Sequence, residues 1–192
     1  MQSRMIHTYI HTYIHTYIHT GAKSVQVTCA IGGDRVLMWH VTQGRWDGAA
    51  AATMYSKALV RALRTRCPTW KGEWRVMEDN NPTGYKSKAA VAAKKAANIC
   101  VVEMPPRSPD LNPLDYSVWF EINRKMRLQE SRWPTSKKET RKAFLARLRR
   151  TAKSLSADYV NKVTGNLESR LKLLRKATGR HFVEGGHANA AA

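Results

Sequence analysis

Acidic side chains are scarce in this chain of 192 residues. Asp and Glu together number 14 against 33 Lys and Arg, which gives a formal net charge of +19. The excess is concentrated, because residues 121–180 hold 18 basic and 5 acidic side chains. Such a density predicts a polyanion binder whose affinity comes from neutralising phosphates. Apolar residues recur with a helical period among these charges, so this segment is predicted to be folded.

Cysteine and long apolar runs are also in short supply. Cys29, Cys67 and Cys100 are odd in number and lack paired spacing, which excludes a zinc ribbon and argues against a secreted disulfide scaffold. No apolar run approaches about 18 residues, so no membrane span is predicted. The chain also lacks the basic and then apolar order of a signal peptide, and a reducing intracellular compartment is expected.

A four-residue repeat, His-Thr-Tyr-Ile, dominates residues 7–20. The DNA tetranucleotide CATA gives this repeat when it is read in triplets, so residues 1–20 are predicted to be a disordered, translated microsatellite. On a helix, His7, His11, His15 and His19 would share one face and could bind zinc or nickel. Thr, Tyr and Ile disfavour a helix, which argues against that alternative.

The rest of the chain, residues 22–186, is predicted to form one domain of strands and helices. Residues 25–41 have the alternation of two strands joined by a turn at Gly32-Gly33-Asp34. Further elements are predicted in the order helix Asp47–Leu63, strand Arg75–Met77, helix Ser87–Ala97 and strand Ile99–Val102. Asp47 is interpreted as a helix cap or a turn acid, and Asp34 as a turn residue.

Two basic helices are predicted within residues 136–180. Ser136-Lys137-Lys138-Glu139 has the pattern of a capping box, which would begin the first helix. The second helix is predicted from about Asn166 to Ala177, with Leu167 and Leu171 facing inward and Arg170 facing outward.

Two motifs carry a pair of carboxylates that are 36 positions apart. The first is Asp79-Asn80-Asn81-Pro82, and the second is Ser108-Pro109-Asp110-Leu111-Asn112-Pro113-Leu114-Asp115-Tyr116-Ser117-Val118-Trp119. The prolines disfavour helix in the residues before them, so the second motif predicts a rigid turn followed by a helix with Asp115 in its first turn. Taken singly, both motifs are also ordinary turn and helix-start sequences.

Taken jointly, the motifs resemble the signature of mariner-like DDE transposases almost letter for letter. The resemblance implies an α/β, RNase H-like fold, with a mixed sheet flanked by helices, incomplete at the N-terminus and followed by basic helices. It also implies that Asp79 and Asp115 are catalytic and bind Mg²⁺ or Mn²⁺. Hard cations of this kind prefer oxygen ligands, and two metal ions can stabilise both oxygens of a phosphodiester displacement.

The chain departs from the family at its N-terminus. The first catalytic Asp of the family would fall at the end of a strand before about Lys23, where this chain has the repeat. The length also leaves no room for the family's N-terminal helix-turn-helix region, so the chain is expected to be a truncated copy. Glu78 is not expected to replace the missing acid, because neighbouring residues of a strand point to opposite faces.

The resemblance implies cleavage of DNA and transfer of the freed 3′ hydroxyl to target DNA. The expected partners are transposon ends, target DNA and a second copy of the chain in a homodimer, without a membrane, and the nucleus is the expected location in a eukaryote. A catalytically dead, basic DNA-binding remnant is the alternative, so enzymatic activity is left open. An RNA-binding protein is a further alternative, although no aromatic stacking motif is visible.

The side chains expected to face DNA are Lys86, Lys88, Lys94, Lys95, Arg124 and Lys125. A merely solvated helix face is the alternative for the lysines.

Overall fold

A five-stranded mixed sheet forms the centre of the molecule. The computed structural model describes residues 8–11, 25–79, 83–105 and 108–178, with the backbone alone for residues 8–11. The strands lie in the order β3-β2-β1-β4-β5, and helices pack on both faces, which confirms the predicted α/β class. Their bounds are β1 Thr8–His11, β2 Val27–Gly32, β3 Arg35–Val41, β4 Trp74–Glu78 and β5 Ile99–Val102.

The strand β1 lies inside the His-Thr-Tyr-Ile repeat. It pairs antiparallel with β2, placing Ile10 opposite Ala30, and parallel with β4, placing Ile10 opposite Glu78. The prediction of disorder is therefore wrong for Thr8–His11. Thr, Tyr and Ile favour strands, and the sheet supplies hydrogen-bonding partners on both sides of this one. The other residues of the repeat lie outside the described residues.

The hairpin β2–β3 agrees with its sequence prediction. Gly33 and Asp34 form the turn, with Gly33 at a φ of 61°, a conformation that glycine adopts without steric cost. The pairing shifts between Ala30 and Ile31 through a bulge. All six residues of β2 are buried, as expected for a strand covered by helices on both sides.

A continuous helical segment and a shorter helix cover one face of the sheet. The segment runs through α1 Gly48–Thr53, the π-helical Met54–Leu59 and α2 Val60–Arg66. Asp47 caps it by accepting hydrogen bonds from the amides of Ala49 and Ala50. The helix α3, Lys88–Ala96, begins after its cap Ser87. Their apolar residues pack with Ala30, Met38 and Val76 of the sheet.

The remaining helices cover the opposite face. A short turn at Pro109–Leu111 leads to the π-helical Leu114–Val118, which continues into α4, Trp119–Glu130. They pack with β2 residues such as Val27, Cys29 and Ile31. The helices that follow are α5 Arg141–Lys153, α6 Ala157–Gly165 and α7 Leu167–Lys176.

Three predictions in the C-terminal region are wrong. Leu171, which was predicted to face inward, is 37% exposed. The helix α5 begins at Arg141 and not near Lys137, because Thr140 supplies the cap and Glu139 turns to bind the buried Arg147 at 2.6 Å. Arg170 faces inward and is 4% exposed, with its guanidinium 3.6 Å from the centre of the Tyr116 ring. Among the described residues, no helix is long and apolar enough to span a membrane.

Candidate active site

Asp79 lies at the end of β4, on the side of the sheet that α4 covers. Met77 packs against that side's core, whereas Glu78 is hydrogen bonded to Tyr55 and Lys94 on the other side. Because alternate residues of a strand face the same way, Asp79 continues the face of Met77. The structure thus supports the expectation that Glu78 and Asp79 do not share a site.

Asp115 lies in the first turn of the π-helical segment, where Asn112 orients its carboxylate. The Asn112 side chain is in the core, 2% exposed. Its amide nitrogen donates to Asp115 Oδ2 at 2.8 Å, and its Oδ1 accepts from the Leu114 amide at 3.1 Å. Its carbonyl accepts from the backbone amide of Asp115 at 2.9 Å. Asn112 was quoted in the motif but not predicted as a site residue, and its place between two prolines was the available signal.

The turn that carries Asp115 is anchored from α7. Arg170 donates from Nε to the carbonyl oxygen of Asp110 and stacks on the Tyr116 ring. The Tyr116 hydroxyl in turn donates to the carbonyl of Val163. These contacts connect both sides of Asp115 to the C-terminal helices, so the position of the carboxylate depends on residues more than forty positions away in the chain.

The elements that carry the two carboxylates both contact β1. The Leu114–Val118 segment contacts β1, and β1 runs parallel to β4 with Ile10 opposite Glu78. The strand that precedes Asp79 and the helical segment that bears Asp115 therefore both adjoin the same central strand. Convergence of the two acids on one site stays a prediction. Metal binding by Asp79 and Asp115 stays a prediction.

The same register places a residue of the repeat next to Asp79. Continuing the parallel pairing by one residue sets the His11 backbone beside Asp79. Within the part of the chain that the structure describes, no group of three or more His, Cys, Asp or Glu side chains could hold a metal ion. The acids of the site among these residues are therefore the two that the motifs supplied.

A buried ion pair lies behind Asp79, on the opposite face of the sheet. Lys94 Nζ is 2.6 Å from Glu78 Oε1 and also donates to the Tyr85 carbonyl oxygen at 2.9 Å. The Tyr55 hydroxyl donates to the other oxygen of Glu78. Burial raises the pKa of Glu78 above its ordinary range, while the Lys94 ammonium acts in the opposite direction. Burial likewise raises the pKa of Tyr55, and the Glu78 carboxylate adds to this shift.

The predicted DNA-facing side chains divide into three groups. Lys86, Lys88 and Lys95 are exposed. Lys94 is 7% exposed and paired with Glu78, so the prediction of an exposed helix face is wrong for this residue, because the buried carboxylate needs a counter-ion. Arg124 is exposed but paired with Glu121 at 2.7 Å, and Lys125 reaches the Ser154 carbonyl at 3.4 Å. Contact of any of them with DNA stays a prediction.

The arrangement of strands and helices is similar to that of solved mariner transposase structures. The chain matches the crystal structure of the catalytic domain of Mos1 mariner transposase with a TM-score of 0.73 and 15% identity, covering 91% of this chain and 84% of that one. The chain has the fold of a mariner transposase catalytic domain.

Further mariner transposase structures agree. The Mos1 catalytic domain with raltegravir and Mg matches with a TM-score of 0.74 and 15% identity over 91% of this chain and 85% of that one. A pre-cleavage Mos1 transpososome matches with a TM-score of 0.73 and 14% identity, covering 94% of this chain and 57% of that one. No family model and no curated protein sequence matches the chain.

Proposed function

We propose that this chain is a DNA-processing domain in which Asp79 and Asp115 hold a divalent cation for DNA strand cleavage and strand transfer. The observation that carries the proposal is the Asp115 carboxylate, which Asn112 holds by a hydrogen bond. The helical segment that bears Asp115 contacts β1. The strand β4, which ends just before Asp79, pairs with β1 as well. The similar structures add support, since they include a transpososome and paired-end complexes of Mos1 transposase.

The donor set suits Mg²⁺ or Mn²⁺. Carboxylate oxygens are the protein ligands that hard cations prefer, and Mg²⁺ takes one or two of them together with waters and substrate phosphates. Structures of Mos1 transposase have been determined with Mg and with Mn. When bound, the cation would lower the pKa of a water so that hydroxide could attack a phosphodiester. In this chain, Asn112 would keep Asp115 Oδ2 in a fixed direction, so that little reorganisation is needed on binding.

The proposed partner is duplex DNA, both as transposon ends and as target, and a second copy of the chain would complete a homodimer. The exposed Lys86, Lys88 and Lys95 supply positive charge at α3, which begins shortly after the Asp79 motif. Electrostatic binding of this kind weakens steeply with salt. In a eukaryotic host, such a protein would act in the nucleus.

A second candidate is a DNA-binding remnant that does not cut. The observation that favours it is the register of β1, which sets His11 beside Asp79 where the resemblance implies a third acid. His11 is not an acid, so this position of the backbone supplies no carboxylate of the kind that Mg²⁺ prefers. Under this candidate, the chain binds DNA with the same dependence on salt and leaves its phosphodiester bonds intact.

Nicking of a supercoiled plasmid separates the two candidates. The unchanged chain is expected to nick in Mg²⁺ or Mn²⁺, and Asp79→Asn and Asp115→Asn are each expected to remove the activity. Asp158→Asn is the matched control, since Asp158 is an exposed acid in the first turn of α6. Salt-sensitive DNA binding without nicking in either metal would reject the cleavage proposal and leave the remnant.

A further inference from the structure

A basic groove runs along β3, at the edge of the sheet farthest from β5. The cavity has a volume of about 500 Å³ and lies between α2, on one face of the sheet, and α5, on the other. Residues 36–39 of β3 line it together with Ala58 and Ala62. In the described sheet, β3 has one neighbouring strand, β2. The groove therefore follows an outer strand and is flanked by a helix on each side.

Each flanking helix presents a row of cations to this edge. Lys57, Arg61 and Arg64 are spaced by four and three residues, so they share one helical face over about 10 Å. Arg61 lines both this groove and the adjoining cavity of about 520 Å³ that Lys57 and Arg64 line. Arg149 and Lys153 are four residues apart on α5 and line the groove from the other side.

These five cations are available to an external anion. All five are exposed, and none pairs with an acid among the residues that the structure describes. The groove also contains Arg35 and Arg66, but both contact Asp34, at 2.8 Å and 3.2 Å. Asp34 thus offsets part of the charge at one end of the groove and leaves the rows on the helices unopposed.

The groove is separate from the candidate active site. Two strands, β1 and β2, lie between β4 and β3, and the pairing registers align Glu78, Ile10, Ala30 and Met38 across the sheet. Three strand spacings, or about 14 Å, therefore separate β4 from β3. The hairpin turn before Arg35 also lies at the end of the sheet opposite Asp79, because β2 runs antiparallel to β1. The groove is therefore displaced from the carboxylates across the sheet.

The lining favours phosphates of a duplex over bases of a single strand. Proteins that bind single strands stack bases on aromatic side chains. The aromatic side chain in this groove, Trp39, is partly buried and packs edge-on against Trp119, with ring centres 6.0 Å apart. Two rows of cations on either side of an apolar floor instead match the charged backbone of duplex DNA.

We propose that the groove along β3 binds a second segment of duplex DNA through its phosphates, with Arg61, Arg149 and Lys153 as central contacts. The proposal relies on DNA being the partner in the proposed function, but not on the cleavage chemistry. A chain that does not cut would still bind DNA in this groove. A chain that cuts would hold one segment at the carboxylates and another at the sheet edge.

The test is a titration of a fluorescent 20-base-pair duplex with the full chain in EDTA, where no cleavage occurs. The groove variant is Arg61→Gln/Arg149→Gln/Lys153→Gln. Its matched control, Lys162→Gln/Arg175→Gln/Lys176→Gln, removes the same charge from exposed positions on α6 and α7. Each lost phosphate contact should make the slope of log affinity against log salt concentration shallower by about 0.9. The groove variant loses three cations, so its slope should be shallower by about 2 to 3. The control should change it less.

Binding stoichiometry gives a second measurement. With excess duplex, the unchanged chain should bind two duplexes per chain and the groove variant one. A variant of the α3 face, Lys86→Gln/Lys88→Gln/Lys95→Gln, should also bind one, through the groove. Equal slopes and stoichiometry in the groove variant and its control would overturn the proposal. The cations would then only protect the outer strand from pairing with another sheet.

Discussion

Asn112 is the residue on which the geometry of Asp115 depends. It bridges the carboxylate and the helix start with four hydrogen bonds, and its side chain lies in the core, where rotation is restricted. An aspartate in the first turn of a helix would otherwise choose among several rotamers. Pro109 and Pro113, which flank Asp110-Leu111-Asn112, restrict the backbone that presents this amide.

Replacement of Asn112 by Ala is expected to lower Mn²⁺ affinity and plasmid nicking by about 10- to 100-fold, the usual loss when a partner of a ligating carboxylate is removed. Calorimetric Mn²⁺ titration and the nicking assay measure the two effects. Asn161→Ala is the control, because Asn161 is exposed on α6. Unchanged metal affinity in Asn112→Ala would show that Asp115 is oriented by other contacts.

At the scale of elements, α3 and β4 are joined by the Lys94–Glu78 pair. Both groups are almost fully buried, and an ion pair in such surroundings gains little when intact but costs much when one partner is removed. The Tyr55 hydroxyl and the Tyr85 carbonyl satisfy further hydrogen-bonding capacity of the pair. The pair therefore sets how α3 sits on the sheet directly behind Asp79.

The Lys94→Met variant is expected to lose about 3–5 kcal/mol of stability at pH 8, since it leaves the Glu78 carboxylate buried without its cation. The loss should shrink toward pH 4. Burial already raises the pKa of Glu78, and removal of Lys94 raises it further. In the variant, the stability contributed by protonated Glu78 is therefore fully present below the ordinary pKa of Glu. This contribution is lost as the pH rises through the raised pKa of Glu78 in the folded protein.

Urea unfolding between pH 4 and pH 8 measures this dependence. Lys95→Met is the matched control, because Lys95 is the exposed neighbour on the same helix. The double variant Glu78→Gln/Lys94→Met should lose the additional dependence on pH. A destabilisation in Lys94→Met that is equal at both ends of the pH range would contradict the assignment of the effect to Glu78.

Local sequence predicts the turns and helix caps of this protein, but not the burial of its long basic side chains. The hairpin at Gly33 and the caps Asp47 and Ser87 were predictable, because their backbone geometry depends on neighbouring residues. The burial of Lys94 and Arg170 was not, since both have long side chains whose partners are distant in sequence. Helical periodicity assigns such residues to the surface, and the tertiary contacts with Glu78 and Tyr116 override it.

In the candidate site, too, some features were predictable from local sequence and others were not. Two motifs identified Asp79 and Asp115 and predicted a turn and a helix around the second. Local patterns could not reveal that a repeat provides β1, because low-complexity sequence does not specify which copy pairs with the sheet. The strand forms there because β2 and β4 both present open edges to that place.

At the scale of the whole molecule, β1 joins the two halves of the sheet. Deletion of residues 1–20 is expected to abolish cooperative thermal unfolding, since β2 and β4 would each lose a paired edge. Circular dichroism and calorimetry measure the transition. The control for strand sequence is a chain in which a Gly/Ser segment of equal length replaces these residues. This chain should also lack a cooperative thermal transition. An unchanged melting temperature after deletion would show that the repeat contributes nothing to the fold.

The position of β1 within a repeat also has a genetic consequence. The tetrapeptide Thr8-Tyr9-Ile10-His11 occurs twice more in the sequence, at 12–15 and at 16–19. Tandem repeats change length when polymerases slip, and a change of twelve nucleotides removes or adds one whole tetrapeptide without shifting the frame. Because four is an even number, each copy presents the same side chains to the same faces of a sheet. The central strand is thus encoded redundantly, and alleles with fewer or more copies would still supply it.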